Sequence, residues 1–429
     1  MRATTLRLDR DVDPLEIGSR TGLLWCRPGH DDPVPVLAGV GEARRIPVTR
    51  PGGAAEAQAV LASLAGAGTG SPVPAPAPGP VGPGTGPVAF AAFPFDRERS
   101  GQLIVPEYVI GHGADGRHWI TVIDDGSGPT PTPAVVLDRL HRMVGDTGPA
   151  EPTVQATTFA LDAVVAPERW RDEVVARAVE EIRAGRLAKV VLARELRLTT
   201  DAAIERAAVV THLRSTFGSA IVFLVDGFVG ASPELLVSRH GDVVRAHPLA
   251  GTTPRGADPA ADAGLAAGLL ASTKDQWEHR ITINWLLDGL LPFCSYVDAE
   301  PEPTIVSLAN VHHLGTRVEG RLSHPAASVL ELVAALHPTP AVGGDPQGDA
   351  LTLMTELEKT DRGRYAGPVG WVDADGNGSF AVGIRSAEID GHQARLFAGV
   401  GVVADSDPAA ELEETRAKFR AMLDALIRP

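Results

Sequence analysis

The alternation of apolar and polar positions near the end of the chain predicts three strands that lead into one amphipathic helix. These elements fall between residues 367 and 418, where the dipeptides Asp-Gly and Asn-Gly are typical of tight turns between antiparallel strands. Asp407 followed by Pro408 is typical of a helix N-terminus, because aspartate caps free backbone N–H groups and proline suits the first turn.

The predicted helix has a polar and an apolar face. The spacing i, i+3, i+4 and i+7 brings four polar residues together: Glu411, Glu414, Thr415 and Lys418. The opposite face carries Leu412, Phe419, Leu423 and Leu426. Upstream, Arg385 is expected to share a strand face with the small residues Ala381, Gly383 and Ala387. This pattern suggests a pocket for a small anion with a metal ion.

Apolar periodicity elsewhere predicts a mixture of helices and hairpins. The predicted strands cover residues 88–96, 189–198, 221–225, 234–239 and 243–247. The predicted helices cover residues 167–183, 204–216, 274–291, 329–336 and 350–358. The hairpins favour an α/β (α+β) fold with antiparallel-rich sheets over a doubly wound fold. No glycine-rich loop joins a strand to a helix as a dinucleotide site requires.

Predicted strands and helices become more frequent after about residue 160. We expect residues 1–155 to be an N-terminal part of the fold, with a proline- and glycine-rich loop at 71–87, and residues 160–427 to form the functional core. With 429 residues, 44% of them hydrophobic, the chain can bury a large core.

Charge and cysteine content indicate which partners and which cellular compartment to expect. The net charge is 39 − 54 = −15 and no long basic run occurs, so nucleic acid is not expected as a partner. Cys26 and Cys294 form no metal-binding spacing, which suits a reducing, cytoplasmic setting. The start of the chain does not resemble a signal peptide, and no apolar run approaches the ~20 residues that span a membrane.

Several polar residues have both a structural and a chemical interpretation. Asp275 and Glu278 share a helical face that could simply be solvated, or could bind a metal ion if it meets the Glu411–Glu414 face. Lys189 could be an ordinary edge residue, but a lysine removed from water loses its proton more readily and can act as a base. Glu234 could be an exposed strand-end carboxylate, or a protonated acid if an apolar pocket holds it.

Two further features have mainly structural interpretations. The segments 247–255 and 337–344, rich in proline and glycine, are typical of turns. His312 and His313 could suggest a metal pair, but neighbours on a strand point to opposite faces, so we expect them to be structural.

Taken together, an ordered series of motifs resembles the chorismate-utilising enzymes, and within them the isochorismate synthases. The motifs are KVVLAR, GASPELLVSR, HPLAGTTPRG, STKDQWEHR, HPTPAVGG, YAGPVGWVD, IRSAEI and LFAGVGVV…ELEETRAKF. The resemblance extends from about residue 165 to 427. It implies a single large domain of two stacked antiparallel-rich sheets with outer helices, like component I of anthranilate synthase.

The resemblance also implies roles for individual residues. Lys189 corresponds to the general base and Glu234 to the general acid. Glu278 and Glu414 correspond to Mg²⁺ ligands, with Glu411 and Asp275 beside them or bridged by water. The substrate carboxylates would meet Arg385, Lys418 and the backbone at Gly399. The wall of the pocket would consist of Tyr365, Ala341, Val342 and Phe397, and the ring-side contacts of Gly251 and Thr252.

The reaction implied is Mg²⁺-dependent conversion of chorismate to isochorismate, by attack of water at C2 and loss of the C4 hydroxyl. Lys189 favours this branch over the ammonia-using relatives, which typically have glutamine there. Two alternatives stay open: a salicylate synthase that goes on to eliminate pyruvate, and a silent chorismate-binding protein. The resemblance further implies a monomer whose product feeds menaquinone, siderophore or salicylate synthesis. With the charge, cysteines and apolar runs described above, we expect a cytoplasmic protein without a nucleic-acid or membrane partner.

Overall fold

The structure is a computed structural model, and it describes residues 1–8, 12–29, 32–49, 53–66, 82–129, 131–144 and 158–427. The predicted loop at 71–87 therefore lies largely outside the described residues. Within the described ranges, no helix is both long and apolar enough to cross a membrane.

The strands are distributed along the whole described chain. In chain order they are β1 (Arg2–Arg7), β2 (Leu23–Cys26), β3 (Val36–Val40), β4 (Arg44–Val48), β5 (Val88–Ala92), β6 (Gly101–Val105), β7 (Tyr108–His112), β8 (His118–Asp124), β9 (Phe159–Ala163), β10 (Lys189–Thr200), β11 (Ile221–Val225), β12 (Phe228–Ser232), β13 (Leu235–His240), β14 (Val243–His247), β15 (Leu249–Pro254), β16 (Cys294–Ala299), β17 (Thr304–Ser307), β18 (Val311–Gly315), β19 (Val318–Leu322), β20 (Gly344–Asp345), β21 (Pro368–Asp373), β22 (Gly378–Val382), β23 (Ser386–Asp390) and β24 (Gln393–Val402).

The helices alternate with these strands, mainly in the second half. They are α1 (Pro14–Thr21), α2 (Gly53–Gly66), α3 (Pro133–Val144), α4 (Pro167–Arg169), α5 (Ala176–Arg183), α6 (Arg206–Thr216), α7 (Pro259–Ala271), α8 (Thr273–Leu290), α9 (Val329–Leu336), α10 (Gln347–Glu358) and α11 (Pro408–Ile427). A π-helical segment, Trp170–Val175, joins α4 to α5, and a 3₁₀ turn, Leu291–Phe293, follows α8.

The strands form two large sheets and one small sheet, and every described pairing is antiparallel. The first sheet has the order β1-β8-β7-β3-β2-β11-β12-β23-β24-β10-β20, with β9 also paired to β10. The second has the order β16-β19-β14-β13-β22-β21-β5-β6-β4, and the small sheet the order β15-β18-β17. The expected pair of stacked antiparallel-rich sheets is confirmed, and the third sheet was not anticipated.

Apolar side chains fill three layers of core. Between the two large sheets, buried aromatic residues such as Trp25, Phe223 and Trp371 meet. Helices α6 and α11 cover the outer face of the first sheet through residues such as Phe419. Helices α2 and α9 cover the second sheet, where Leu61 is fully buried. The helices therefore lie outside the sheets, as the resemblance implies.

Two of the places where the chain crosses between the two large sheets lie next to each other. It leaves the first sheet after β12, passes through Glu234 and enters the second sheet at β13. It returns between β22 and β23, where Arg385 lies. The Val382 N–H donates to the Glu234 carbonyl (3.1 Å) and the Ala231 N–H donates to the Arg385 carbonyl (3.1 Å). These two crossings hold Glu234 and Arg385 next to each other where the sheets separate.

This crossing corrects the prediction for the C-terminal segment. The segment contains four strands, β21 to β24, instead of three. Arg385 does not share a strand face with Ala381 and Ala387, because those residues belong to different sheets. Arg385 lies between them with φ of +51°, in the left-handed region. Strand periodicity cannot reveal a crossing in which the chain continues in extended form from one sheet to another.

The predicted helix after Asp407 is confirmed. Asp407 caps its N-terminus, because the N–H groups of Ala409 and Ala410 donate to the Asp407 carboxylate. Its apolar face buries Leu412 and Phe419. Strands β12 and β15 and helix α7 are among the elements that were not predicted.

Candidate active site

A polar cavity opens where the two large sheets separate, beneath α8 and α11. Its volume is about 290 Å³, which suits a small molecule. It is lined by Lys189, Val191, Pro233, Glu234, Leu249, Ala250, Gly251, Thr252, Lys274, Asp275, Glu278, His313, Ala341, Val342, Tyr365, Ile384, Arg385, Gly399, Gly401, Glu411, Glu414 and Lys418. Residues more than 200 positions apart in the sequence therefore meet in one site.

Lys189 is the first residue of β10 and is buried, with its amine inside the cavity. Its Nζ lies 3.2 Å from Oε2 of Glu278 on α8. The chain can hold the lysine here because Gly401, on the neighbouring strand β24, has no side chain. A Cβ at Gly401 would lie 2.8 Å from Cε of Lys189, which is closer than real contacts allow.

Glu234 faces the same cavity from the crossing between β12 and β13, and only 3% of the residue is exposed. Burial raises the pKa of its carboxyl to about 8, although the nearby charges of Lys189 and Arg385 oppose the rise. The group is therefore mainly protonated at neutral pH and can donate a proton. The sequence pattern named an apolar pocket as the condition for such an acid; here burial in a polar cavity raises the pKa instead.

Carboxylates from two helices face one another across the cavity. Glu278 and Asp275 come from α8, and Glu411 and Glu414 come from α11. Burial and then the charge of Glu414 raise the pKa of Glu411 to about 7. Repulsion between close carboxylates of this kind is relieved by a cation, and oxygen donors are those that Mg²⁺ prefers.

The donor set thus fits a hard divalent cation in chemical type. Across the described ranges, however, no three His, Cys, Asp or Glu side chains stand in an arrangement that could already hold a metal ion. Lys418 instead forms an ion pair with Glu414, with Nζ 2.6 Å from Oε1. The helices meet as the sequence analysis required for a metal site, with lysines occupying one oxygen each of Glu278 and Glu414.

Two cations line the cavity as well. Arg385 and Lys418 are both partly buried, and burial lowers the pKa of each. The Lys418 ammonium also donates to the Gly399 carbonyl (2.9 Å). An anionic ligand would satisfy both cations, since buried positive charge is costly unless it is paired.

The wall of the cavity contains an aromatic stack. Tyr365 lines the cavity, and its ring lies 5.2 Å from that of Phe397, centroid to centroid, in a stacked arrangement. Phe397 is not among the lining residues, so it supports Tyr365 from behind. A Cβ at Gly399 would lie 3.0 Å from Oη of Tyr365. The loop between α9 and β20 supplies Ala341 and Val342 to the same wall.

His313 and Lys274 also line the cavity, and neither was predicted as a site residue from the sequence. His312 and His313 do point to opposite faces, as predicted, but His313 points into the cavity. Its Nε2 lies 3.4 Å from a terminal guanidinium nitrogen of Arg385, and burial and then Arg385 lower its pKa to about 3, so it is neutral. The strand pattern predicts that the two histidines point to opposite faces, but it does not predict which face lies in the cavity.

The structure brings together every site residue named from the sequence except Phe397, which lies one layer behind. Gly251 and Thr252 are included, on β15 of the small sheet. Gly251 has φ of +67°, and a Cβ there would lie 3.0 Å from the Asp275 carboxylate. The segment 247–255, interpreted as a turn from sequence, is in large part strand and contributes directly to the cavity wall.

Comparison with known proteins gives consistent results. The model of a family described as chorismate binding enzymes matches residues 31–427. The isochorismate synthase DhbC of Bacillus subtilis is 38% identical over 352 residues, which cover 79% of this chain and 81% of that protein.

Two solved structures resemble the whole chain. DhbC from Bacillus anthracis has a TM-score of 0.76 at 32% identity, covering 95% of this chain and 96% of that chain. The menaquinone-specific isochorismate synthase MenF from Escherichia coli has a TM-score of 0.81, covering 100% and 94%. At 23% identity, the second likeness concerns the fold alone.

Proposed function

The chain belongs to the chorismate-binding enzymes, and from this premise we propose that it is an isochorismate synthase, an isomerase that converts chorismate to isochorismate. The observation that carries the proposal is the presence in one cavity of a buried amine, Lys189, and a carboxyl, Glu234, whose pKa near 8 keeps it protonated. A base and an acid in one cavity are what hydroxyl transfer across a ring requires.

The substrate would be held by charge and by shape. Chorismate carries two carboxylates, and Arg385 and Lys418 place two cations in the cavity. Glu278 and Glu414, with Glu411, would hold Mg²⁺. When bound, the ion would neutralise carboxylate charge on the substrate and draw electron density toward it. Tyr365 and Val342 would form the wall beside the ring.

The reaction needs one proton removed and one proton delivered. Lys189 would take a proton from a water molecule as that oxygen bonds to C2 of the ring. Glu234 would give its proton to the C4 hydroxyl, which leaves as water while the ring double bonds shift. The water consumed and the water released balance, so the product is an isomer of the substrate. Glu234 suits this role because burial keeps its proton in place.

Product analysis tests the proposal. The purified protein is incubated with chorismate and Mg²⁺, and the products are separated by chromatography. Isochorismate as the product is expected. Salicylate with pyruvate would instead identify a salicylate synthase, and an absence of turnover would identify a silent chorismate-binding protein. Chelation of the divalent cation in a parallel sample should stop turnover, and added Mg²⁺ should restore it.

Two substitutions test the acid–base pair. We expect Lys189→Ala and Glu234→Gln each to lower kcat by at least 10³-fold, because each removes one of the two proton transfers. Chorismate binding, measured by calorimetry, should persist in both variants, since Arg385 and Lys418 are retained. Residual turnover near the wild-type rate in either variant would contradict the assignment.

A further inference from the structure

A buried ion pair lies directly behind the cavity wall and is not among the residues that line it. Glu358 ends α10, and Arg362 returns beneath it after a turn in which Lys359 has φ of +50°. Both side chains are 4% exposed. Nε of Arg362 donates to Oε2 of Glu358 (2.9 Å), and a terminal nitrogen donates to the other carboxylate oxygen. We refer to this pair as the Glu358–Arg362 clamp.

The remaining hydrogen bonds of the clamp all reach backbone next to the cavity. One terminal nitrogen of Arg362 donates to the Val342 carbonyl (3.0 Å), and the other donates to the Val191 carbonyl (2.8 Å). The Ala193 N–H donates to the Glu358 carboxylate (2.8 Å). Val342 and Val191 both line the cavity. The clamp therefore ties the α9–β20 loop to strand β10, which begins with Lys189.

The same turn also sets the position of the aromatic wall. The Tyr365 N–H donates to the Arg362 carbonyl (3.0 Å), so the backbone of Arg362 supports a third residue that lines the cavity. On its outer side the guanidinium lies 4.4 Å from the ring centroid of Phe95. The planar group is thus held on one side by an aromatic ring and fixed at its edge by four acceptors.

We propose that Arg362, oriented by Glu358, is a positioning residue that fixes the wall formed by Val191, Val342 and Tyr365 against the substrate. This inference rests on the proposed function, because it concerns how well chorismate fits the cavity. Lysine cannot replace the arginine, since a single ammonium cannot reach two carbonyls and a carboxylate in one plane. A wall that moves by about 1 Å can cost as much as 10²-fold in kcat/KM.

The test compares steady-state kinetics of Arg362→Lys and Glu358→Gln with those of a matched control pair. The control is the ion pair of Arg27 and Asp32, in which a terminal guanidinium nitrogen lies 3.0 Å from a carboxylate oxygen. This pair also has little exposure, lies between β2 and β3 and does not line the cavity. Arg27→Lys and Asp32→Asn make the same chemical changes there. All four variants should lower the midpoint of thermal unfolding, since breaking a buried pair is destabilising in either place.

The variants should differ in KM. We expect Arg362→Lys to raise KM for chorismate about tenfold and Glu358→Gln to raise it less, while kcat falls no more than about threefold. The control variants should keep KM within twofold. A purely structural role would reduce the folded fraction, which lowers apparent kcat and leaves KM unchanged. Unchanged KM in both clamp variants would therefore overturn the proposal, and Glu358→Gln alone decides it if Arg362→Lys does not fold.

A second measurement separates this proposal from the proposed function. Hydrogen exchange without substrate should become faster at the amides of residues 341–343 in Arg362→Lys and stay unchanged there in Arg27→Lys. If the wild-type protein does not turn over chorismate, the proposed function fails, but faster exchange would still support the clamp. If the wild type is active and neither KM nor exchange changes, only the clamp is refuted.

Discussion

Glu234 shows how one residue trades stability for chemistry. Its neutral form is held in a buried site, and burial raises the pKa of the carboxyl from 4.5 to about 8. Between these values the folded protein binds a proton that the unfolded chain has released. Stability therefore falls as pH rises through this window, because the unfolded state binds fewer protons there. The same shift keeps the proton available for transfer.

This trade-off predicts a pH-dependent gain in stability for Glu234→Gln. Glutamine has nearly the same shape and cannot ionise, so the variant does not lose stability through ionisation of a buried carboxyl as pH rises. Relative to wild type, the variant's free energy of unfolding should increase by about 2 to 3 kcal/mol between pH 6 and pH 9. Urea denaturation at both pH values measures this change.

The control for this measurement is Glu302→Gln, which alters an exposed carboxylate. Its difference from wild type should stay constant over the same pH range. A Glu234→Gln difference that does not grow with pH would mean that the carboxyl titrates near its ordinary pKa, and its assignment as the acid would lose its physical basis.

At the scale of elements, strand β24 contributes to the cavity through two positions that have no side chain. Gly399 and Gly401 are two residues apart, so both face the cavity. Gly401 leaves room for Lys189, and Gly399 leaves room for Tyr365. The glycine pattern Gly-Val-Gly in the C-terminal segment is thus part of the site, although glycine offers no functional group.

We predict that Gly401→Ala impairs catalysis more than folding. The new Cβ would lie 2.8 Å from Cε of Lys189, so the lysine must move away from its position beside Glu278. A drop in kcat of at least tenfold is expected, because displacement of about 1 Å is enough to misalign a base. Steady-state kinetics with chorismate would measure it.

A matched substitution, Gly268→Ala in helix α7, meets no atom within 4 Å. It should leave kcat unchanged and raise stability by up to about 1 kcal/mol, since alanine favours helix. If Gly401→Ala retains wild-type kcat, Lys189 tolerates displacement and its position is less constrained than the geometry implies.

Elements with a clear period could be predicted from sequence, and their meeting points could not. Helices α8 and α11 were predicted with their acidic faces, and both faces line the cavity. That these two helices meet followed only from the resemblance, because periodicity describes one element at a time. The prediction that Arg385 shares a strand face with Ala381 and Ala387 was wrong for the same reason. His313 was missed because nothing in the local sequence distinguishes an enclosed strand face from an exposed one.

At the scale of the whole molecule, residues from the first third complete both large sheets. Strand β2 pairs with β11, and β5 pairs with β21. The core between the sheets joins Phe90 of β5 to Phe223 of β11. We predicted a division of the chain at about residues 155–160 from composition. Strands from both sides of this division pair with each other in both large sheets.

This arrangement predicts that the chain unfolds as one unit. Separate unfolding of residues 1–155 would expose an edge of β11 and of β21 and half of the core between the sheets, which is too costly to occur alone. Calorimetry should show a single transition. Phe90→Leu and Phe223→Leu, both fully buried in the same cluster, should each cost roughly 1 to 2 kcal/mol and shift that transition together.

The matched pair makes the outcome decisive, because the two phenylalanines come from opposite sides of the predicted boundary and differ in little else. If Phe90→Leu moved only one of two transitions while Phe223→Leu moved the other, the N-terminal part would be an independent domain. If both move one transition, the acid at Glu234 and the base at Lys189 depend on residues 1–155 for their positions, since β12 and β10 belong to a sheet that those residues complete.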